Sequence, residues 1–284
     1  MDDATQADIQ LDNFTSIFNL DGKVAVITGG SRGLGLNAAS GFMQSGCSKV
    51  YIVSRSAEAC NKAVDALNAL PNKRPGAQAI AIPADATSVP DIDRLVSEVQ
   101  KTTDHVDILF ANAGAGWSEP FETHSERGFR KVLDLNVQSV FFTIQKFEPL
   151  LRKRASLDDP SRVIITGSVT GLGIGTLGRN ATYGYSVSKA ASMHLAKQLA
   201  VELGPRGILT NAIAPGLFPT KMTTSLISEE GGHAQLAAVT PNRRLGRPED
   251  IAGLVVFLAS RAGSHINGEI IATDGGSILA NGRL

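Results

Sequence analysis

Cysteine is nearly missing from this chain of 284 residues: Cys47 and Cys60 are the only two, and they form no CxxC pair. That excludes a disulfide framework as the organising device. Histidine is equally thin, since His105, His124, His194, His233 and His265 are scattered without ligand spacing, and no metal is expected. An excess of charge is missing too. Lys+Arg and Asp+Glu number 27 each, which gives no bulk argument for nucleic acid or an anionic membrane surface as a partner. No apolar run reaches membrane-spanning length, and the opening "MDDATQADIQLDNF" is polar and acidic where a secretory leader would be basic and then apolar. The expectation is a soluble protein of the cytoplasm. The final "GRL" is only loosely like a peroxisomal address, because the usual first residue is replaced, so the peroxisome stands second.

Hydrophobic residues are plentiful, at 43% of the chain, enough for a sizeable core in one domain. Short runs rich in Val, Ile and Ala recur at 23–30, 48–55, 77–85, 106–114, 161–168, 207–216 and 268–276. They are continuously apolar, the pattern of strands buried on both faces. Helix-compatible segments fall between them, at about 35–45, 57–70, 89–102, 126–150, 184–203 and 248–260. The alternation predicts an α/β, Rossmann-like, doubly wound domain of about seven parallel strands with helices on both faces. Residues 1–20 read as a polar extension and 21–284 as a single catalytic domain. Within it, 217–247 lacks a clean strand signal and reads as a substrate lid.

The stretch "TGGSRGLG" (28–35) sets Gly29, Ser31, Arg32, Gly33, Leu34 and Gly35 between the first strand and a helix. Glycine there lets backbone approach a pyrophosphate, whose charge is met by amides at the helix start, so a dinucleotide site is expected. The next strand ends in Ser54, Arg55 and Ser56 where a carboxylate would favour NAD. Arg55, helped by Arg32, suits a 2'-phosphate and points to NADP(H). Asp85, with Ala86 beside it, ends the third strand and can accept from the adenine amino group, with a turn cap as its other reading. Ala111, Asn112, Ala113 and Gly114 end the fourth strand in a small-residue turn suited to close passage of the adenosine half.

Further along, "GYSVSKAASMHLAKQLAVEL" (184–203) reads as a helix stopped by Gly204-Pro205. Tyr185 and Lys189 share a face, with Ser188 and Ser192 near the same stripe and Ala190, Leu195 and Leu199 available for burial. Ser168 ends the strand before this helix, so parallel topology brings all three polar groups to the carboxyl edge of the sheet, where the glycine turn also lies. A tyrosine whose phenol is drawn below its usual pKa by a nearby ammonium and an oxidised nicotinamide suits proton transfer to a carbonyl oxygen, with Ser168 bonding that oxygen and Lys189 holding the ribose hydroxyls.

On these motifs the chain resembles the short-chain dehydrogenases/reductases over about residues 21–278. The resemblance extends to "ANAG" (111–114), to Asn136 in "DLNVQS", which matches the family's proton-relay asparagine, and to "YSVSK" (185–189). "NAIAPG" (211–216) followed by Thr220 looks like the segment contacting the nicotinamide carboxamide, which implies roles for Pro215, Gly216 and Thr220, with Ile213 near the ring. Within the family it is most similar to 3-oxoacyl-(acyl carrier protein) reductases. That implies reduction of a beta-keto compound or acyl thioester by NADPH, with alcohol, polyol or secondary-metabolite oxidoreduction as the alternative. Enoyl reduction and a non-catalytic nucleotide-binding role come further down. A homo-oligomer, dimer or tetramer, is implied as well. Trp117, Val169, Leu172, Tyr183, Phe218 and Met222 are the expected substrate-pocket residues; the stretch between Ser168 and Tyr185 is longer than the family's usual one.

Overall fold

The protein is represented by a computed structural model that describes residues 13–229 and 232–280. Residues 1–12 of the expected extension and the final "GRL" lie outside the described residues. Seven strands form one parallel sheet: β1 (Val24–Thr28), β2 (Lys49–Ser54), β3 (Gln78–Pro83), β4 (Ile108–Ala111), β5 (Ser161–Thr166), β6 (Ile208–Pro215) and β7 (Ile270–Thr273). Their order is β3-β2-β1-β4-β5-β6-β7, so the direction of winding reverses between β1 and β4. The expected strand runs and their parallel pairing are therefore borne out.

Alternation of side chains along the strands feeds two separate cores. Val24 and Val26 of β1 face one core, which is closed by α3 (Val89–Gln100), α5 (Ser139–Arg152) and α6 (Tyr183–Leu203). Ala25 and Ile27 face the other, closed by α1 (Gly33–Gln44), α2 (Ala57–Asn68) and α9 (Pro248–Ala259). Two starts follow from local capping: the Ser56 hydroxyl accepts the amide of Ala59 to open α2, and Ser88 that of Asp91 to open α3.

The helix expected over 126–150 is divided. α4 (Glu126–Leu133) passes into a π-turn over Asp134–Gln138 before α5 begins, and the extra residue pushes Asn136 inward, where it is buried. Residues 217–247 carry two short helices, α7 (Thr224–Glu229) and α8 (Gly232–Val239). The neck of this excursion is tied: the amide of Gly246 donates to the carbonyl of Leu217 at 3.0 Å, and the ring of Phe218 packs where a Cβ on Gly246 would sit. A short α10 (Ser277–Ala280) follows β7.

Candidate active site

The glycine turn is built by close approach. Gly29 has φ +67°, and a Cβ there would meet Ala113 and the Asn112 amide at about 3.0 Å. A Cβ on Gly35 would fall 2.3 Å from the Gly29 carbonyl oxygen. Arg32 at the head of α1 places no side-chain cap on the first turn, which leaves the amides of that turn available to a ligand at the winding reversal. This cradle suits a pyrophosphate. Ser31 and Leu34 are half-buried in it, and Thr220 crosses it, its methyl 3.4 Å from the Cβ position of Gly33.

At the end of β2 the structure separates three residues that the sequence groups together. Ser54 is hydrogen-bonded to the Cys60 thiol at 3.1 Å and Ser56 caps α2, so both hydroxyls are occupied. Arg55 is exposed, as is Arg32, and neither forms an ion pair among the described residues. Asp85 realises its turn-cap reading through one oxygen, Oδ1, which accepts from both the amide and the hydroxyl of Thr87; Ala86 is half-buried beside it. The Asn112 side chain, expected at the cofactor, knits the sheet edge: its Nδ2 donates to the carbonyls of Thr28 and Gly29, and its Oδ1 accepts from Thr166.

Around the turn of Ala113 and Gly114 the polar constellation assembles. A Cβ on Gly114 would lie 3.1 Å from Asn136 Oδ1 and 3.4 Å from Lys189 Nζ. The Lys189 ammonium is buried, donates to the Thr166 carbonyl at 2.6 Å, and stands 5.8 Å from the centre of the Tyr185 ring. Burial draws its pKa down to about 8. Ser168, buried at the exit of β5, hydrogen-bonds Tyr185 and accepts from the Thr170 hydroxyl at 3.0 Å. Burial raises the Tyr185 pKa, and the Ser168 hydrogen bond opposes that only in part. The expected lowering of the phenol is therefore reversed in the chain by itself. Desolvation outweighs that hydrogen bond, and the phenol holds its proton, as an acid must.

Several expected positions differ. Phe218 is 4% exposed and belongs to the core; the cavity it borders, about 260 Å³, is lined by polar groups including Thr240, Arg244, Asp250 and Asp274. Ile213 is fully buried within β6, on the core side, because the alternation along the strand turns it away from the crevice. Ala190 is exposed, not buried. Trp117 packs on α4 against Gly128, with the Lys131 ammonium 4.8 Å over its ring. Tyr183 meets Phe121 and His124 edge-on, Val169 packs against the core, and Leu172 and Met222 are about half exposed. Pro215 is buried at the end of β6, and Gly216 allows the chain to pass Asp274.

A family model described as enoyl-(acyl carrier protein) reductase matches residues 29–277. The rhamnolipids biosynthesis 3-oxoacyl-[acyl-carrier-protein] reductase of Pseudomonas aeruginosa is 41% identical over 259 residues, covering 91% of this chain and 97% of its own. The 7alpha-hydroxysteroid dehydrogenase of Escherichia coli is 37% identical over 91% of this chain and 95% of its own. The solved structure of the Pseudomonas aeruginosa RhlG/NADP active-site complex superposes with a TM-score of 0.85 at 40% identity, covering 92% of this chain and 98% of that one. With this sheet order and this constellation at its carboxyl edge, the chain belongs to the short-chain dehydrogenase/reductase family, a class of nicotinamide-dependent oxidoreductases.

Proposed function

We propose that this protein is an NADPH-dependent ketoreductase acting on a beta-keto compound of the 3-oxoacyl type. The observation that carries the reading is the convergence of Ser168, Tyr185 and Lys189 beside Gly114, in line with the glycine cradle. Bound in that cradle, NADPH supplies the hydride for the carbonyl carbon. Tyr185 gives its proton to the carbonyl oxygen, and Ser168 hydrogen-bonds the same atom. Lys189 holds the ribose hydroxyls and steadies the phenolate left behind. Arg55, which has no ion pair among the described residues, receives the 2'-phosphate with Arg32, and Asp85 meets the adenine through its second oxygen. Residues 217–247 close over the substrate, whose apolar contacts come from Leu172, Met222 and Tyr183.

The second reading, an alcohol, polyol or secondary-metabolite oxidoreductase, is favoured by the 37% identity to a steroid dehydrogenase and by 33% identity to the 5-keto-D-gluconate 5-reductase of Escherichia coli. Against enoyl reduction stands the placement of a proton donor and a serine about one oxygen atom, which is carbonyl chemistry. NADPH consumption measured against a beta-ketoacyl thioester, a steroid ketone, a keto sugar and an enoyl thioester separates these readings. Turnover of the enoyl thioester alone overturns the proposal.

Assembly and location belong to the same reading. Among the described residues no helix is long and apolar enough to cross a membrane. Val187 and Val201 stand exposed along α6, which supports a homo-oligomer, dimer or tetramer, built on that helix. The two free, buried thiols of Cys47 and Cys60 suit the reducing cytoplasm.

A further inference from the structure

Ser188 lies inside the helix that carries Tyr185 and Lys189, and it is wholly buried. Its hydroxyl donates to the Tyr185 carbonyl at 2.7 Å and accepts from Asn136 Nδ2 at 2.9 Å. The Asn136 amide continues the chain, since Nδ2 also donates to the Ala115 carbonyl at 3.0 Å and Oδ1 accepts the Ala115 amide at 2.9 Å. One run of hydrogen bonds thus joins the turn after β4, the π-turn and the first turn of α6. Three of the four hydrogen-bonding positions of the asparagine amide are taken by this clip. Ser192 offers an internal contrast: it is equally buried in the same helix, and its one side-chain hydrogen bond among the described residues goes to the Lys189 carbonyl of its own helix.

We infer that Ser188 is a positioning residue of the reaction, locking the first turn of α6 to Asn136 and the Ala115 turn and so setting where the Tyr185 phenol and the Lys189 ammonium stand. The inference rests on the proposed proton-donor role of Tyr185. Buried hydrogen-bonded groups fix geometry because each unmade bond carries a desolvation cost, and proton transfer is sensitive to displacements well under 1 Å.

The test compares Ser188→Ala, Ser188→Cys and Ser192→Ala in the full chain. Ser188→Ala is expected to lower kcat about tenfold or more while the NADPH dissociation constant stays within about threefold, with part of the loss recovered in Ser188→Cys. Ser192→Ala keeps parental kcat. Adding Ser188→Ala to Asn136→Ala costs little further, because the two act as one unit. A readout independent of turnover uses the three tyrosines, Tyr51, Tyr183 and Tyr185. With ¹³C-labelled tyrosine, the Tyr185 ring signal, assigned by Tyr185→Phe, moves in Ser188→Ala and stays put in Ser192→Ala. An unmoved Tyr185 signal, equal losses in the two serine variants, or additive losses with Asn136→Ala overturn the inference. A parent enzyme inert toward every ketone strikes the functional reading instead, and the ring signal still decides the place of Ser188.

Discussion

The two ends of the candidate crevice are built on opposite plans. At the chemical end, Asn136, Ser168, Ser188 and Lys189 are buried, and the protein itself supplies their hydrogen bonds. At the adenosine end, Arg32 and Arg55 are exposed without ion pairs among the described residues, while the serines around Arg55 are already spoken for. Where bonds must be aimed during reaction, the groups are fixed in advance. Where a ligand must be recognised by charge, the cations are left open to it.

Removing the proposed proton donor puts the greatest strain on this contrast. Tyr185→Phe is expected to cut single-turnover NADPH oxidation by about two to four orders of magnitude, with cofactor binding nearly intact. Tyr183→Phe, which keeps the ring that meets Phe121 and His124 edge-on, should react at close to the parental rate. The opposite ranking would show that the donor has been misassigned.

Next comes the cost of pre-building the chemical end. Lys189 falls from the ordinary lysine value of 10.5 to about 8 on burial. Between those values the unfolded chain keeps a proton that the folded chain has released, so stability rises with pH across the window; below it, both states are protonated and the burial cost is felt in full. Relative to Lys189→Met, the parent should gain about 3 kcal/mol between pH 8 and 10.5, read from denaturant midpoints. A flat difference would mean that the ammonium is better solvated than its surroundings suggest.

The open end predicts a smaller, selective loss. Arg55→Ala should weaken NADPH binding about thirtyfold, near 2 kcal/mol, and leave NADH almost unchanged. Equal affinities for the two cofactors in the parent would remove the phosphate role. Smallest is the half-exposed wall: Met222→Ala should raise KM for a long-chain keto substrate about threefold, with kcat unchanged.

Much of this was legible from the chain. Continuous apolar strands and alternating helices specify a two-faced parallel sheet, because each residue type is read by burial alone. Tyr185 and Lys189 share a helix face through spacing, and Ser168 joins them because strand ends in a parallel sheet converge. What spacing does not reveal is which way a side chain spends its hydrogen bonds. Asn112, Ser54 and Ser56 sit where expected but turn inward to neighbours distant in sequence or to the next helix turn. Phe218 and Ile213 went to the core because an apolar residue near a site serves either purpose. The π-turn at Asn136 was invisible, since its residues keep ordinary helical composition; Ser188, next to Lys189, was visible only as part of a stripe.

The tied neck between Leu217 and Gly246 has a consequence for how such a protein diversifies. A segment whose two ends are already joined is a cassette: outside Phe218 in the core, Thr220 at the cradle and Arg244, which pairs with Asp250 in the first turn of α9, its residues can be exchanged and its length changed without shifting the register of β6 or the start of α9. Loop length then costs only a slowly growing closure entropy. With residues 217–247 as the proposed lid, the scaffold and the surface over the substrate are thereby free to change at different speeds.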